Sequence, residues 1–138
     1  MRTIENIQTI TIRFEYYDRR EITVPGEKVI DMKVAEDPGE HGSILLVMTG
    51  DFAPEEIEDG IQQNPYDRFF AEYHIDEIVV CTSDESEKTY WVPKYPNPGH
   101  YEDNLLEHIY LGPNEEVVLV IGRDKELHQL ALDYAFGK

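Results

Sequence analysis

Ile10, Ile12 and Phe14 alternate with Thr11 and Arg13, and the same period of two returns at Ile22 and Val24 after the polar break Asp18-Arg19-Arg20. Successive side chains of a strand point to opposite faces, so this spacing predicts a β-hairpin from about Ile7 to Val24. After Pro25-Gly26 the segment Val29 to Val34 alternates again, a turn cluster runs from Asp37 to Gly42, and Ser43 to Thr49 is apolar enough for a buried strand. A second hairpin is predicted there. Pro54 followed by Glu55 and Glu56 suits a helix start, because proline lacks only an N–H that would be unpaired and the carboxylates favour the positive dipole end. Gly60 and Asn64-Pro65 keep this helix short. From Pro65 onward, Tyr66, Phe69, Phe70 and Tyr73 fall at i, i+3, i+4 and i+7, predicting a second helix whose aromatic stripe enters the core.

Ile78 to Cys81 is apolar on both alternating faces and reads as a central strand, with Ser83 to Lys88 returning the chain into Thr89 to Val92. Pro93, Pro96, Pro98 and Gly99 forbid regular structure. Leu105 to Leu111 fits either a helix stopped by Gly112-Pro113 or a strand turning through Gly112-Pro113-Asn114, and we take the strand. Val117 to Ile121 is a strand. Asp124 is placed to cap a last helix in which Leu127, Leu130, Ala131 and Tyr134 share a face before Gly137 ends it. The expected fold is α+β: a mainly antiparallel sheet of six to eight strands built from hairpins, with two short central helices and one at the C-terminus. With 138 residues and neither repeat nor long linker, one domain spanning residues 1–138 is expected.

Composition changes the picture through charge. The chain has 12 Lys and Arg against 29 Asp and Glu, a formal charge of −17. The first 33 residues are balanced, with six bases (Arg2, Arg13, Arg19, Arg20, Lys28, Lys33) and six acids. From Asp51 to Glu87 there are twelve acids and one base, Arg68; residues 101–116 add Glu102, Asp103, Glu107, Glu115 and Glu116 with none. A field of one sign repels nucleic acid and anionic lipid and attracts basic surfaces. High solubility is expected. No apolar stretch approaches the ~18 residues of a membrane span, and Met1 to Glu5 does not read as a secretory leader. The single cysteine excludes an intrachain disulfide framework, which fits a reducing cytoplasm.

Motifs for chemistry are missing. The Walker, dinucleotide-binding, zinc-protease and nucleophile-elbow patterns do not occur. Cys81 lies in an apolar strand, where burial disfavours a thiolate, so it reads as structural. His74, His100 and His108 have acidic neighbours, but their spacing matches no known ligand set, and His41 and His128 add none. Asp59-Gly60 lacks the preceding acids of a calcium loop. No catalytic residue, metal or cofactor is therefore expected. Tyr-rich composition and Trp91 suit base stacking, yet stacking needs a basic groove, so direct nucleic-acid binding is disfavoured.

The acids themselves are the candidate binding residues: Asp51, Glu55, Glu56, Glu58, Asp59, Asp67, Glu72, Asp76, Glu77, Asp84, Glu85 and Glu87. On a helix, Glu55, Glu58 and Asp59 lie on one face at ~5–6 Å spacing, a pitch and sign like those of phosphates. Asp76 to Glu87 are expected to extend that row along the next strand and hairpin tip. In composition alone the chain resembles the small acidic anti-CRISPR and antirestriction proteins of phages and mobile elements, and the immunity proteins that neutralise nuclease toxins. No motif ties it to any one family. The resemblance implies a non-enzymatic inhibitor whose acidic face occupies the basic groove of a nuclease, repressor or guide-RNA effector complex. The alternatives are an immunity protein, another protein-protein interaction module, and a small enzyme with an unrecognised histidine or carboxylate site. A charge run is ordinarily just a solvated face, and a high-salt cytoplasm favours acids everywhere; the balanced first 33 residues argue against the latter. A homodimer through an exposed strand edge is left open.

Overall fold

The computed structural model describes residues 1–15, 20–35, 43–52, 54–62, 74–91, 107–122 and 124–137. The chain enters as β1 (Arg2–Thr3) and turns at Asn6, which has a left-handed φ of 59°, into β2 (Ile7–Glu15). β2 pairs antiparallel with β3 (Glu21–Pro25), setting Ile10 beside Val24 and Ile12 beside Ile22, as the period of two requires. A 3-10 turn, Gly26–Lys28, leads into β4 (Val29–Ala35), which pairs antiparallel with β5 (Ser43–Met48). Both expected hairpins are present.

Pro54 precedes a single-turn helix, α1 (Glu55–Glu58), its carbonyl accepting the N–H groups of Ile57 and Glu58. A two-residue strand β6 (Ile61–Gln62) follows. The aromatic helix predicted from Pro65 to Tyr73 falls outside the described residues, as does the proline-rich segment after Trp91. β7 (His74–Thr82) and β8 (Glu87–Trp91) form the third hairpin. The stretch with two readings is strand β9 (Glu107–Leu111), paired with β10 (Val117–Ile121). The Asp124 carboxylate accepts the Leu127 N–H at 3.0 Å and so caps α2 (Lys125–Phe136), which Gly137 ends.

One expectation is corrected. Among the described residues the strands do not form one sheet but two: β1-β4-β5-β10-β9-β6 and β3-β2-β7-β8. Among the described residues, all pairings are antiparallel except that of β6 with β9. Period-two alternation says which residues share a face, not which strand is the neighbour. The chain changes sheets between β3 and β4 in only the three residues of the 3-10 turn. The short β1 and β6, two residues each, carry no readable period.

The sheets face each other across one core. Ile10, Ile12, Phe14, Ile78 and Val80 from the smaller sheet meet Met32, Ile44, Leu46, Ile109 and Leu119 from the larger, and Ile57 of α1 joins them. The opposite face of the larger sheet supplies Leu45, Val47, Val118 and Val120, covered by Leu127, Ala131 and Ala135 of α2. β5 and β10 are thus buried on both faces, which is why their sequences are apolar runs and not alternating ones. Leu127, fully buried, contributes about 2 kcal/mol through its removal from water. Among the described residues, no helix is long and apolar enough to cross a membrane.

Candidate functional site

Two hairpin loops of the same construction project acids from one end of the sandwich. Between β7 and β8 the Thr82 N–H bonds to the Ser86 carbonyl and the Glu85 N–H to the Thr82 carbonyl. Between β9 and β10 the Gly112 N–H bonds to the Glu116 carbonyl and the Glu115 N–H to the Gly112 carbonyl. Each loop needs a residue in the left-handed region, normally glycine. Both have glutamate there: Glu85 at φ 69° and Glu115 at φ 64°. A carboxylate braces each turn, since Asp84 accepts the Ser86 N–H at 3.0 Å and Glu116 accepts the Asn114 N–H at 2.7 Å. Hydrogen bonds from the Thr82 hydroxyl and then Ser86 hold the Asp84 carboxyl down at about 2.

Backbone contacts place the two loops at the same end. The Ser83 N–H bonds to the Asn6 carbonyl, at the start of β2. Gly26 lies against the Ile7 carbonyl, so closely that a Cβ there would stand 1.8 Å from the oxygen. The Thr49 N–H bonds to the Lys28 carbonyl, and Gly50 lies against the Glu115 carbonyl. Exposed Glu27, Asp51, Asp84, Glu85, Glu87 and Glu115 therefore gather around this end from four separate stretches of chain. Lys28 Nζ meets Asp51 at 2.5 Å, which raises the lysine pKa and lowers that of the aspartate.

Three of the acids proposed from sequence are engaged by bases of the balanced N-terminal stretch. Asp51 meets Lys28. Glu56 accepts from Arg20 at 3.0 Å. Glu77, only 7% exposed, pairs with Arg13, which also reaches Glu21 at 3.0 Å. Glu77 accordingly does not belong to an exposed row. Glu55, Glu58 and Asp59 are exposed and, three and four residues apart, share one side of α1 and its following turn. Asp76 is half-buried at the far end of β7, roughly 20 Å along the strand from the Asp84 loop. The predicted row is thus divided into a loop-end group and an α1 group. Asp67 and Glu72 lie outside the described residues. Glu27 and Glu115, absent from the sequence-based set, join the loop end. The turn signal Gly112-Pro113-Asn114 marks Glu115 as a loop residue, but only the pairing of β10 with β5 brings it beside Gly50.

A second cluster is buried. His108 on β9 stacks on Tyr110 at 5.8 Å between ring centroids and meets the edge of His128 of α2, also at 5.8 Å. Its Nδ1 donates to Gln62 Oε1 of β6 at 2.7 Å, while His128 Nε2 donates to the Gly122 carbonyl. Burial, and secondarily His128, brings the His108 pKa down to about 4, so its ring is neutral at pH 7. A neutral ring in hydrogen-bonded contact with β6 and edge contact with α2 holds these elements against β9. Among the described residues, no group of three or more His, Cys, Asp or Glu side chains converges as a metal site would. Cys81 is half-buried.

Comparison with known proteins brings no relative to bear: no protein family matches the sequence, no curated protein matches it, and no solved structure matches the fold.

Proposed function

We propose that this protein is a non-enzymatic acidic binding protein that inhibits a nucleic-acid-handling protein by occupying its basic groove. The observation that supports this reading is the loop end, where acids from separate chain segments meet on short, hydrogen-bonded turns. Charges held at fixed positions present a potential without first having to be ordered, as a nucleic-acid backbone does to its reader. Two of them, Glu85 and Glu115, occupy backbone positions that glycine fills at lower cost. Sparsely populated backbone states are concentrated at sites of function. The bases of the first 33 residues meanwhile engage Glu56, Glu77 and Asp51, so the acids that face a partner are chiefly the exposed Glu85, Glu87 and Glu115 of the loop end and Glu55 and Glu58 of α1.

The partner is a basic nucleic-acid-binding protein of the nuclease or guide-RNA effector type. The two hairpin loops would enter its groove and compete with DNA or RNA. Such binding weakens steeply with salt, because the groove's counterions and those of the acidic face exchange on association. The test is capture of partners on the immobilised protein at low and raised salt, with DNA or RNA as competitor. Recovery of a basic nucleic-acid-binding protein that is lost at high salt and displaced by nucleic acid supports the reading. Recovery only of partners resistant to both salt and nucleic acid would overturn it.

A further inference from the structure

Among the described residues, the sheets end on β1 and β6 in the larger and on β3 and β8 in the smaller. β1 and β6 have two residues each, and β8 leaves the acidic loop and begins with exposed Glu87. β3 differs from them in length and charge. Its one charged side chain, Glu21, is held at 3.0 Å by Arg13 of β2, so this edge is locally compensated in a chain of formal charge −17. The Phe14 N–H bonds to the Arg20 carbonyl, and Ile12 with Ile22 and Ile10 with Val24 continue the same register. Hydrogen-bonded and non-bonded pairs alternate in an antiparallel ladder, so the backbones of Ile22 and Val24 bond to β2 while those of Glu21, Thr23 and Pro25 point outward. The side chains of Glu21, Thr23 and Pro25 are exposed as well, and Ile22 between them is only half-buried against the core. Glu21 and Thr23 thus present both N–H and carbonyl to a further strand, and Pro25 a carbonyl alone.

We propose that this edge pairs with a second copy of the chain, β3 antiparallel to β3 about a two-fold axis at Ile22. In that register Glu21 of each copy lies opposite Thr23 of the other, and each such pair exchanges both of its backbone bonds. A register centred on Thr23 would instead set the Glu21 carbonyl against Pro25, which has no N–H to give it. Ile22 meets its own copy at the closely spaced, non-bonded position, completing the burial that β2 leaves half done. On the outer face the Thr23 hydroxyl is placed to donate to the Glu21 carboxylate across the joint. β3 runs toward the loop end, where Gly26 follows Pro25 and lies against the Ile7 carbonyl, so antiparallel pairing directs the two acidic loop ends away from each other. The charge also selects the occupant. A basic peptide would be drawn to the acidic ends, whereas a copy of charge −17 approaches closely only where charge is compensated. The joint uses no acid of the loop end or of α1, so it stands independently of the inhibitor reading.

The test is sedimentation equilibrium of the full chain from ~10 μM to ~1 mM at low and raised salt, together with amide hydrogen exchange. A joint this short buries less than a standard interface, so dimer is expected toward the upper end of that range. Raised salt should tighten it, because salt screens the repulsion between like-charged copies, and the Glu21 and Thr23 amides should gain protection as dimer forms. Thr23→Pro removes an outward N–H from each copy and should weaken dimerisation ~10-fold or more. If that variant does not fold, Thr23→Glu, which sets a carboxylate opposite Glu21 of the other copy, should weaken it likewise. A chain that stays monomeric up to ~1 mM, or a dimer that the folded Thr23 variants leave intact, would overturn the proposal. A dimer that raised salt dissociates would overturn it as well, since charge attraction and not the compensated edge would then hold it.

Discussion

The Glu107 carboxylate accepts the Ile75 N–H at 2.8 Å and thereby joins the two sheets through their shared interior. The bond falls where the pairing of β2 with β7 slips: Arg13 opposes Glu77 and Phe14 opposes Ile75, leaving Asp76 over. Glu107 is 8% exposed and Ile75 1%, so removing the acceptor leaves a buried amide without its partner. Glu107→Ala should cost ~2 kcal/mol or more, within the range for stranding a buried donor, whereas Glu107→Gln keeps an amide oxygen and should cost less. Urea unfolding of both variants measures this. Equal losses in the two would mean that the carboxylate's charge, not its acceptor, matters.

The glutamates in left-handed positions make an opposite prediction. An L-residue in that region is about 1–2 kcal/mol less favourable than in the right-handed one, and glycine bears no such penalty, though it loses more freedom on folding. Glu85→Gly and Glu115→Gly should each leave stability unchanged or raise it by up to ~1 kcal/mol. Gly50→Ala, by contrast, puts a Cβ 1.9 Å from the Glu115 carbonyl oxygen and should destabilise clearly. Thermal unfolding of the three variants gives the order. A large loss in Glu115→Gly would show that its side chain makes a contact outweighing the backbone cost.

What the sequence made legible, and what it did not, divides along physical lines. The hairpins and strands were readable because alternation and apolar runs register burial on one face or both, as at Ile10-Ile12-Phe14 and Val117 to Ile121. The α2 cap at Asp124 was readable because capping is local chemistry. The division into two sheets was not, since β2 pairs with β7 through backbone bonds that many apolar strands could make equally well. The same holds for the site. Glu85 and Glu87 were expected at an exposed tip and are exposed. Arg13, Arg20 and Lys28, however, look balanced by acids near them in the chain, while the fold sends them to Glu77, Glu56 and Asp51. Charge counted along the chain therefore missed that Glu77 is buried and that Glu56 and Asp51 are paired.

The histidine cluster predicts a pH dependence. His108 has a folded-state pKa of about 4, below the ~6.5 of an unfolded chain, so between these values the unfolded state binds more protons. Its contribution is complete above pH ~6.5 and is lost as pH falls toward 4, by on the order of 3 kcal/mol in all. His108→Phe removes the titration and retains a ring beside Tyr110, but loses the hydrogen bond to Gln62 and so begins from lower stability. The expected result is a shallower fall in unfolding free energy from pH 7 to 4.5 in the variant than in the parent. Parallel curves would move the titration to another group.

Charge reversal separates the two acidic groups. Asp84 braces its own turn through Thr82 and Ser86 and should be left in place, since replacing it would disturb the loop that displays its neighbours. Glu85, Glu87 and Glu115 are exposed, so a triple Lys variant should fold while turning the loop end from acidic to basic. The corresponding α1 variant reverses Glu55, Glu58 and Asp59, leaving the Arg20–Glu56 pair and buried Ile57 intact. If the loop end enters the partner's groove, its reversal should abolish capture, and the α1 reversal should weaken it by ~10-fold or less, as peripheral charges act mainly on association rate. Competition with DNA or RNA, measured for each folded variant, decides the matter. Loss only in the α1 variant would transfer the binding face to that helix. Full binding by both would leave the acids as a solvated surface and the inhibitor reading without its physical basis.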